Sequence, residues 1–245
     1  MRKLALGTVA VLLVATIAWT LYGGWAVVKV AKIPDAWVVG KPLQLSWQVR
    51  QHGVHPMGAE DNLTPSLEAR SGARVIKGTT WAFAEDGEKG FRGRIVFPEA
   101  GDWQVTVHSG FGPAKAVLLP WRVVDSVRPV RGTVEEHLAT IGVPRFSDAE
   151  RGRRLFASQG CVTCHVHRDV PIRGADLPLN GMMADFGRDL SDKRLPADYL
   201  ARFLKDPSIK PPTSHGRSMP NLALREKEIM PLVAFLTAEG RAATR

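Results

Sequence analysis

The hydrophobic pattern of this chain changes period part-way along, and no single kind of regular element accommodates both parts. Over residues 27–125 apolar side chains recur at every second position. Leu43, Leu45, Trp47 and Val49 alternate with Gln44, Ser46, Gln48 and Arg50; Trp103, Val105 and Val107 alternate with Gln104 and Thr106. A period of two is that of a half-buried strand. Residues 91–97 and 116–124 read as further strands. Turn signals separate them at Gly40-Lys41-Pro42, Asp86-Gly87, Pro98-Glu99-Ala100-Gly101 and Gly110-Phe111-Gly112-Pro113. Short strands at this spacing predict an all-β, immunoglobulin-like sandwich over residues 29–125. No cysteine pair is available to pin its sheets, so the core is expected to rest on Trp47, Trp81, Phe83, Trp103 and the aliphatics around them.

Residues 126–146 read as a linker with one short helix near 135–140. Beyond it the period becomes helical. Ser147-Asp148-Ala149-Glu150 is a capping box, Leu155 and Phe156 share one helix face, and Gly160 stops the helix. Tyr199, Leu200, Phe203 and Leu204 form the apolar face of a second helix, ended by Asp206-Pro207. Ile229, Leu232, Val233 and Leu236 mark a last helix with Gly240 as its stop. Pro231 inside that pattern implies a kink or a late start.

At the amino terminus Arg2 and Lys3 precede an uncharged run over residues 4–28. As a helix it is about 38 Å long, against a hydrocarbon core of about 30 Å. The expectation is an uncleaved single-pass anchor over residues 1–28, inserted in the lipid bilayer through residues 4–28. Cleavage near Gly24-Trp25-Ala26 is the alternative. The leading cations keep the start of the chain in the cytoplasm, so the rest is exported to the periplasmic or outer face of a bacterial cytoplasmic membrane. Trp19, Tyr22 and Trp25 lie where an interfacial aromatic belt would. The net charge is +9 but contains no basic block, which argues against nucleic acid as a partner.

The chain has two cysteines, Cys161 and Cys164, too few for a disulfide framework. They stand in Cys161-Val162-Thr163-Cys164-His165, the attachment pattern for haem c. Two thiols three residues apart on a turn can each bond one vinyl group of the same porphyrin, and the adjacent His165 can supply an axial imidazole. A thioredoxin-like pair would need a strand before the motif, where this chain has a helix. A structural zinc site would have to recruit His165 with His167 or His215 to complete four ligands. The sixth iron ligand is expected from Met219-Pro220, in a loop with Pro211, Pro212 and Gly216. A thioether there raises the potential relative to a second imidazole. His215, Met182 and Met183 are the alternatives, or an open sixth position that would bind small gases.

Residues 147–240 resemble a class I monohaem cytochrome c domain. The resemblance rests on the helix ending in CVTCH, the GADL segment at residues 174–177, ADYLARFLKDP, the SMPNL loop and the final FLTAEG. It implies an all-α fold around one covalent haem c, bound by Cys161 and Cys164 and ligated at iron by His165 and Met219. Gly174-Ala175 stands where relatives often have Gly-Pro, so the carbonyl that accepts from His165 would come from Pro171 or a neighbour. The preceding region resembles FixH/YtkA-like domains through QVRQHGVHPMGAEDNLTPSLEARSG and FRGRIVFPEAGDWQVTVHSGFG. Some of that group are associated with copper handling or with assembly of respiratory oxidases.

His52, His55, Met57 and His108 fall in two loops of the sandwich and form a candidate copper site. The expected fold class is therefore multidomain: a transmembrane helix, an all-β sandwich and an all-α cytochrome domain. The expected function is that of an electron carrier rather than an enzyme. Its partners would be redox proteins of a respiratory membrane, with a terminal oxidase as one candidate, and Arg168, Arg173, Lys210 and Arg217 flank the site that would face them. The alternative is an oxidase subunit or copper-handling assembly factor with the sandwich as its working part.

Overall fold

The structure is a computed structural model that describes residues 24–125, 132–172, 187, 189–193, 195–212 and 218–242. Its strands are β1 (Ala26–Ala31), β2 (Trp37–Val38), β3 (Pro42–Gln51), β4 (His55–Met57), β5 (Ser66–Ser71), β6 (Arg74–Lys77), β7 (Thr79–Glu85), β8 (Glu88–Val96), β9 (Gly101–His108), β10 (Lys115–Val117) and β11 (Trp121–Val124). The helices are α1 (Val134–Thr140), α2 (Asp148–Ser158), α3 (Ala197–Lys205) and α4 (Glu226–Ala242). One sheet runs β1-β3-β8-β7, with β4 on the edge of β3. The other runs β2-β11-β9-β5-β6, with β10 also on β9. Only β2 and β11 pair in parallel among the described strands.

Alternation sets which side chains enter the sandwich. Leu43, Leu45, Trp47 and Val49 of β3 are buried, as are Trp103, Val105 and Val107 of β9. The β7–β8 hairpin closes through Asp86 and Gly87, both with positive φ, between the paired residues Glu85 and Glu88. That is the left-handed two-residue turn whose twist suits an antiparallel pair. Trp47, Trp103, Trp121, Phe91 and Phe97 are the largest fully buried side chains of the sandwich. Trp81 and Phe83, expected in the core, are not in it. Both lie on β7, an edge strand; Trp81 is 38% exposed, and the Arg92 guanidinium covers the Phe83 ring at 4.4 Å. The strand expected at residues 116–124 is broken between β10 and β11 at Pro120, which has no N–H for the ladder. The carbonyls left there are taken by Arg154 of α2, whose Nη1 donates to Pro120 O at 2.8 Å.

The three-part arrangement of transmembrane helix, sandwich and all-α domain is not what the described residues adopt. The described chain is mostly β-sheet, with four short α helices, and none of those helices is long and apolar enough to cross a membrane. The last residues of the expected span, Ala26, Val27 and Val28, open strand β1 and pair with Gln51, Arg50 and Val49 of β3. The β-branched Val27 and Val28 suit a strand, and β3 offers all three residues a full ladder. Residues 1–23 of that expected span lie outside the described residues.

The helices do not stand apart as an all-α unit either. Val117 and Leu119, from β10 and the segment after it, belong to the same buried cluster as Leu155, Phe156, Ile229, Leu232 and Phe235. Gln159 Nε2 donates to the β1 carbonyl of Val30 at 3.1 Å. Arg151 of α2 forms an ion pair with Asp35 at 2.9 Å. Short amphipathic helices gain most of their stability from the surface they cover, and here part of that surface is the sheet. Leu138 of α1 likewise packs with Ala36 and Val38.

Helices α2 and α4 meet most closely where Gly152 faces Pro231. A Cβ at Gly152 would lie 1.9 Å from the Pro231 carbonyl oxygen and 2.7 Å from Phe235 Cβ. Pro231 sits inside α4 and costs it one intrahelical hydrogen bond, yet the helix continues beyond it and through Gly240 to Ala242. The crossing is thus a contact of backbone on backbone. Gly152→Ala is expected to wedge the two helices apart and destabilise the fold by about 1–3 kcal/mol, as overpacking of a tight interior does. Urea denaturation checks this, and an unchanged midpoint would refute it.

Candidate functional site

The site is built where α2 ends. Ser147 caps the helix start, its Oγ accepting from Glu150 N at 3.2 Å. The Glu150 carboxylate, which a capping box would fold back, is occupied by Arg153 and Arg154 at 2.7 Å each. The helix closes at Gln159, and Gly160 takes a left-handed φ of 78°. Glycine is required there twice over, because a Cβ would also lie 2.2 Å from Val27 Cγ1 of β1. The chain then enters a single 3-10 turn at Cys161–Thr163. The Cys161 carbonyl accepts from Cys164 N at 3.1 Å and from His165 N at 2.8 Å. One carbonyl therefore gathers both thiol-bearing residues and the imidazole onto one turn. Gly187 lies over that turn, so close that a Cβ there would come within 1.5 Å of the Cys164 carbonyl oxygen.

Cys161 is buried, and Cys164 and His165 are half-buried. Burial, reinforced by the neighbouring Cys164, pushes the Cys161 thiol up to about 12; burial pushes Cys164 up to about 11. Both thiols are neutral at ordinary pH. The thiolate is the form that binds zinc or attacks a disulfide, and this environment disfavours it. Among the described residues no three His, Cys, Asp or Glu side chains gather as a metal cage. His167, one of the two histidines that a zinc site could recruit, is instead wedged between Phe156 and Phe235, with centroids at 5.7 and 4.3 Å. Burial lowers its pKa, so the ring is neutral.

Met219 is half-buried and packs against the apolar cluster that contains Cys161 and Val162. The motif and the expected ligand loop thus share one hydrophobic core. Pro220 rests on the β3–β4 turn, where a Cβ at Gly53 would lie 2.7 Å from Pro220 Cγ. Asn221 Oδ1 accepts from Ala223 N at 2.8 Å, and Ala223 has a left-handed φ of 50°. Lys29 of β1 donates from Nζ to the carbonyls of Leu222 and Ala223 at 2.9 and 2.8 Å. Glu228 lies 3.9 Å from the same ammonium. Burial lowers the Lys29 pKa, and Glu228 works against that shift. Burial raises the Glu228 carboxyl in turn, but hydrogen bonds from the Arg225 side chain and backbone bring it below its usual value.

Sequence reasoning did not find Lys29, Gly53, Arg225 or Glu228. One signal was present: Lys29 is a charge set between Val28 and Val30 in an otherwise apolar stretch. The other expected residues fare differently. His215, Met182, Met183, the segment at 174–177, Arg173 and Arg217 lie outside the described residues. Pro171 and Lys210 are exposed, and Arg168 is paired with Asp192.

Three of the four candidate copper residues lie on the β3–β4 hairpin, and the fourth is in the other sheet. His52 packs edge-on to Trp25 at 6.0 Å. His55 is exposed on β4, whereas Met57 of the same strand points into the core. His108 ends β9 in the other sheet, 3.7 Å from Glu68.

Compared with models of known protein families the chain matches none, and no curated protein matches it. The chemistry of the site rests on its own residues. Cys161, Cys164, His165 and Met219 could hold an iron porphyrin: two thiols and an imidazole on one turn, and a thioether on a loop against the same apolar cluster.

The neutral thiols carry a testable consequence for the chain without bound haem. Unfolded thiols ionise near 9.0, whereas the folded ones hold their protons to about 11 and about 12. Above the unfolded value the unfolded state binds fewer protons, so stability falls as pH rises. The urea midpoint is expected to drop as pH rises from about 9 towards about 11, and to drop less in a Cys161→Ala, Cys164→Ala double variant. Equal pH dependence in the two proteins would contradict the assignment.

Proposed function

We propose that this chain is a c-type cytochrome that carries single electrons. The observation that supports it best is the turn at Cys161–His165 together with Met219 on the apolar cluster beside it. Cys161 and Cys164 would hold the porphyrin through thioether bonds, and His165 and Met219 would be the donors to its iron. When bound, the group supplies an iron that alternates between the ferrous and ferric states.

The residues of the chain serve that chemistry in separate ways. Burial keeps the two sulfurs out of competing thiolate reactions. The Cys161 carbonyl fixes where the His165 backbone emerges. The cluster of Leu155, Phe156, Leu200, Leu204, Ile229 and Phe235 excludes water from one side of the site. A neutral thioether donor would favour the reduced metal relative to a second imidazole, which suits a carrier of relatively high potential. Covalent attachment of this kind takes place outside the cytoplasm, so the reading puts residues 147–240 on the exported side. Their partners there are redox proteins that approach the site.

The test is direct. Full-length chain made in a host able to attach haem is expected to be red. Its intact mass should exceed the bare polypeptide by one haem, and the colour should stay with the band on a denaturing gel. Unfolding it should expose no titratable thiol, and replacing both cysteines by serine should remove the covalent colour. Colourless protein with the mass of the polypeptide alone would overturn the proposal.

A further inference from the structure

The loop that carries Met219 has no regular secondary structure from residue 218 to 225, yet it is held at several points. Two of those points belong to the sandwich. Pro220 sits in the notch that Gly53 leaves on the β3–β4 turn, where the left-handed φ of 76° and the 2.7 Å approach both demand glycine. Lys29, buried on β1, reaches across to take the carbonyls of Leu222 and Ala223. These contacts join residues far apart in the chain, and they fall within four residues of the methionine.

A buried ammonium is an expensive way to fill space. Its neighbours Val27, Val28 and Val30 show that apolar side chains fit this strand. An apolar residue at 29 would avoid the desolvation of a charge, which only close hydrogen-bonding partners offset. What the lysine supplies, and a valine would not, is two directed bonds to the backbone of the loop. Glu228 keeps the ammonium aimed there and is itself held by Arg225 at the start of α4. The helix, the loop and the sheet are tied at one point.

We infer that the sandwich positions the thioether of Met219, with Lys29 and Gly53 as positioning residues. This rests on the function proposed above. A thioether is a weak, neutral donor, so its hold on iron depends on the backbone presenting it in place. Residues that support a ligand from behind govern its occupancy as much as the ligand itself does. The sandwich is on this account part of the haem site.

The experiment uses the full chain, haem-loaded, as wild type and as Lys29→Met, Lys29→Gln and Gly53→Ala. Covalent haem per chain is read by mass and on a denaturing gel. Sulfur ligation is read from the weak ferric absorption at the red end of the spectrum and from carbon monoxide binding by the reduced protein. All variants should carry wild-type haem. The ligated-to-unligated ratio should fall by about fivefold for each hydrogen bond lost at Lys29, and should fall too in Gly53→Ala, whose Cβ displaces Pro220; carbon monoxide binding should rise accordingly. Lys29→Gln keeps a donor and should show the smaller effect; it decides the matter for residue 29 if Lys29→Met does not fold. Haem-bearing variants with the red band at full strength and no gain in carbon monoxide binding would overturn the inference while leaving the proposed function standing. Wild-type protein without covalent haem would bring down that function, and this inference with it.

Discussion

Both faces of β1 are buried, each by a different core. Ala26, Val28 and Val30 belong to the apolar cluster inside the sandwich. The alternate residues point the other way. Val27 meets Gly160 at the end of α2, and Lys29 meets the loop before α4. A strand pleats with period two, so a single six-residue segment can serve two cores without compromise. The placement of the helical segment on the sheet follows from this. The bond from Gln159 to Val30 and the pocketing of Gly160 against Val27 put the Cys161 turn beside β1.

The same feature explains what could and could not be read from the sequence. Strands with one wet face announced themselves: β3 and β9 alternate, and Asp86-Gly87 marks its hairpin. Helix α2 was legible from Ser147 to Gly160 because caps are local. A strand buried on both sides shows no alternation, so the apolar run ending at Val28 reads equally well as the tail of a hydrophobic helix. Periodicity also says nothing about which strand lies at an edge, and Trp81 and Phe83 were misplaced for that reason. Gly240 failed as a stop because a glycine ends a helix only where the chain needs a left-handed turn, and α4 runs on to Ala242. The order of the site residues follows the same logic. The Cys161–His165 turn is local and was visible; the contact of Lys29 with Leu222 spans the length of the molecule and was not.

Electrostatics and packing divide the work at this junction. The apolar cluster around Phe156 and Phe235 gives the site its dry wall and keeps the two thiols protonated. The charged groups sit at its margin, where directed bonds matter more than area. Lys29, Glu228 and Arg225 form one such set, and Glu150 with Arg153 and Arg154 forms another. Each includes a carboxylate satisfied from more than one side, which is what makes partial burial of charge tolerable.

A segment common to two cores also ties their fates together. If β1 peels from β3, the sandwich loses Ala26, Val28 and Val30, and the helices lose their footing at the same instant. Heating should therefore produce one calorimetric peak for the sandwich and the helices together, and a protease that nicks strand β1 should release both halves to digestion together.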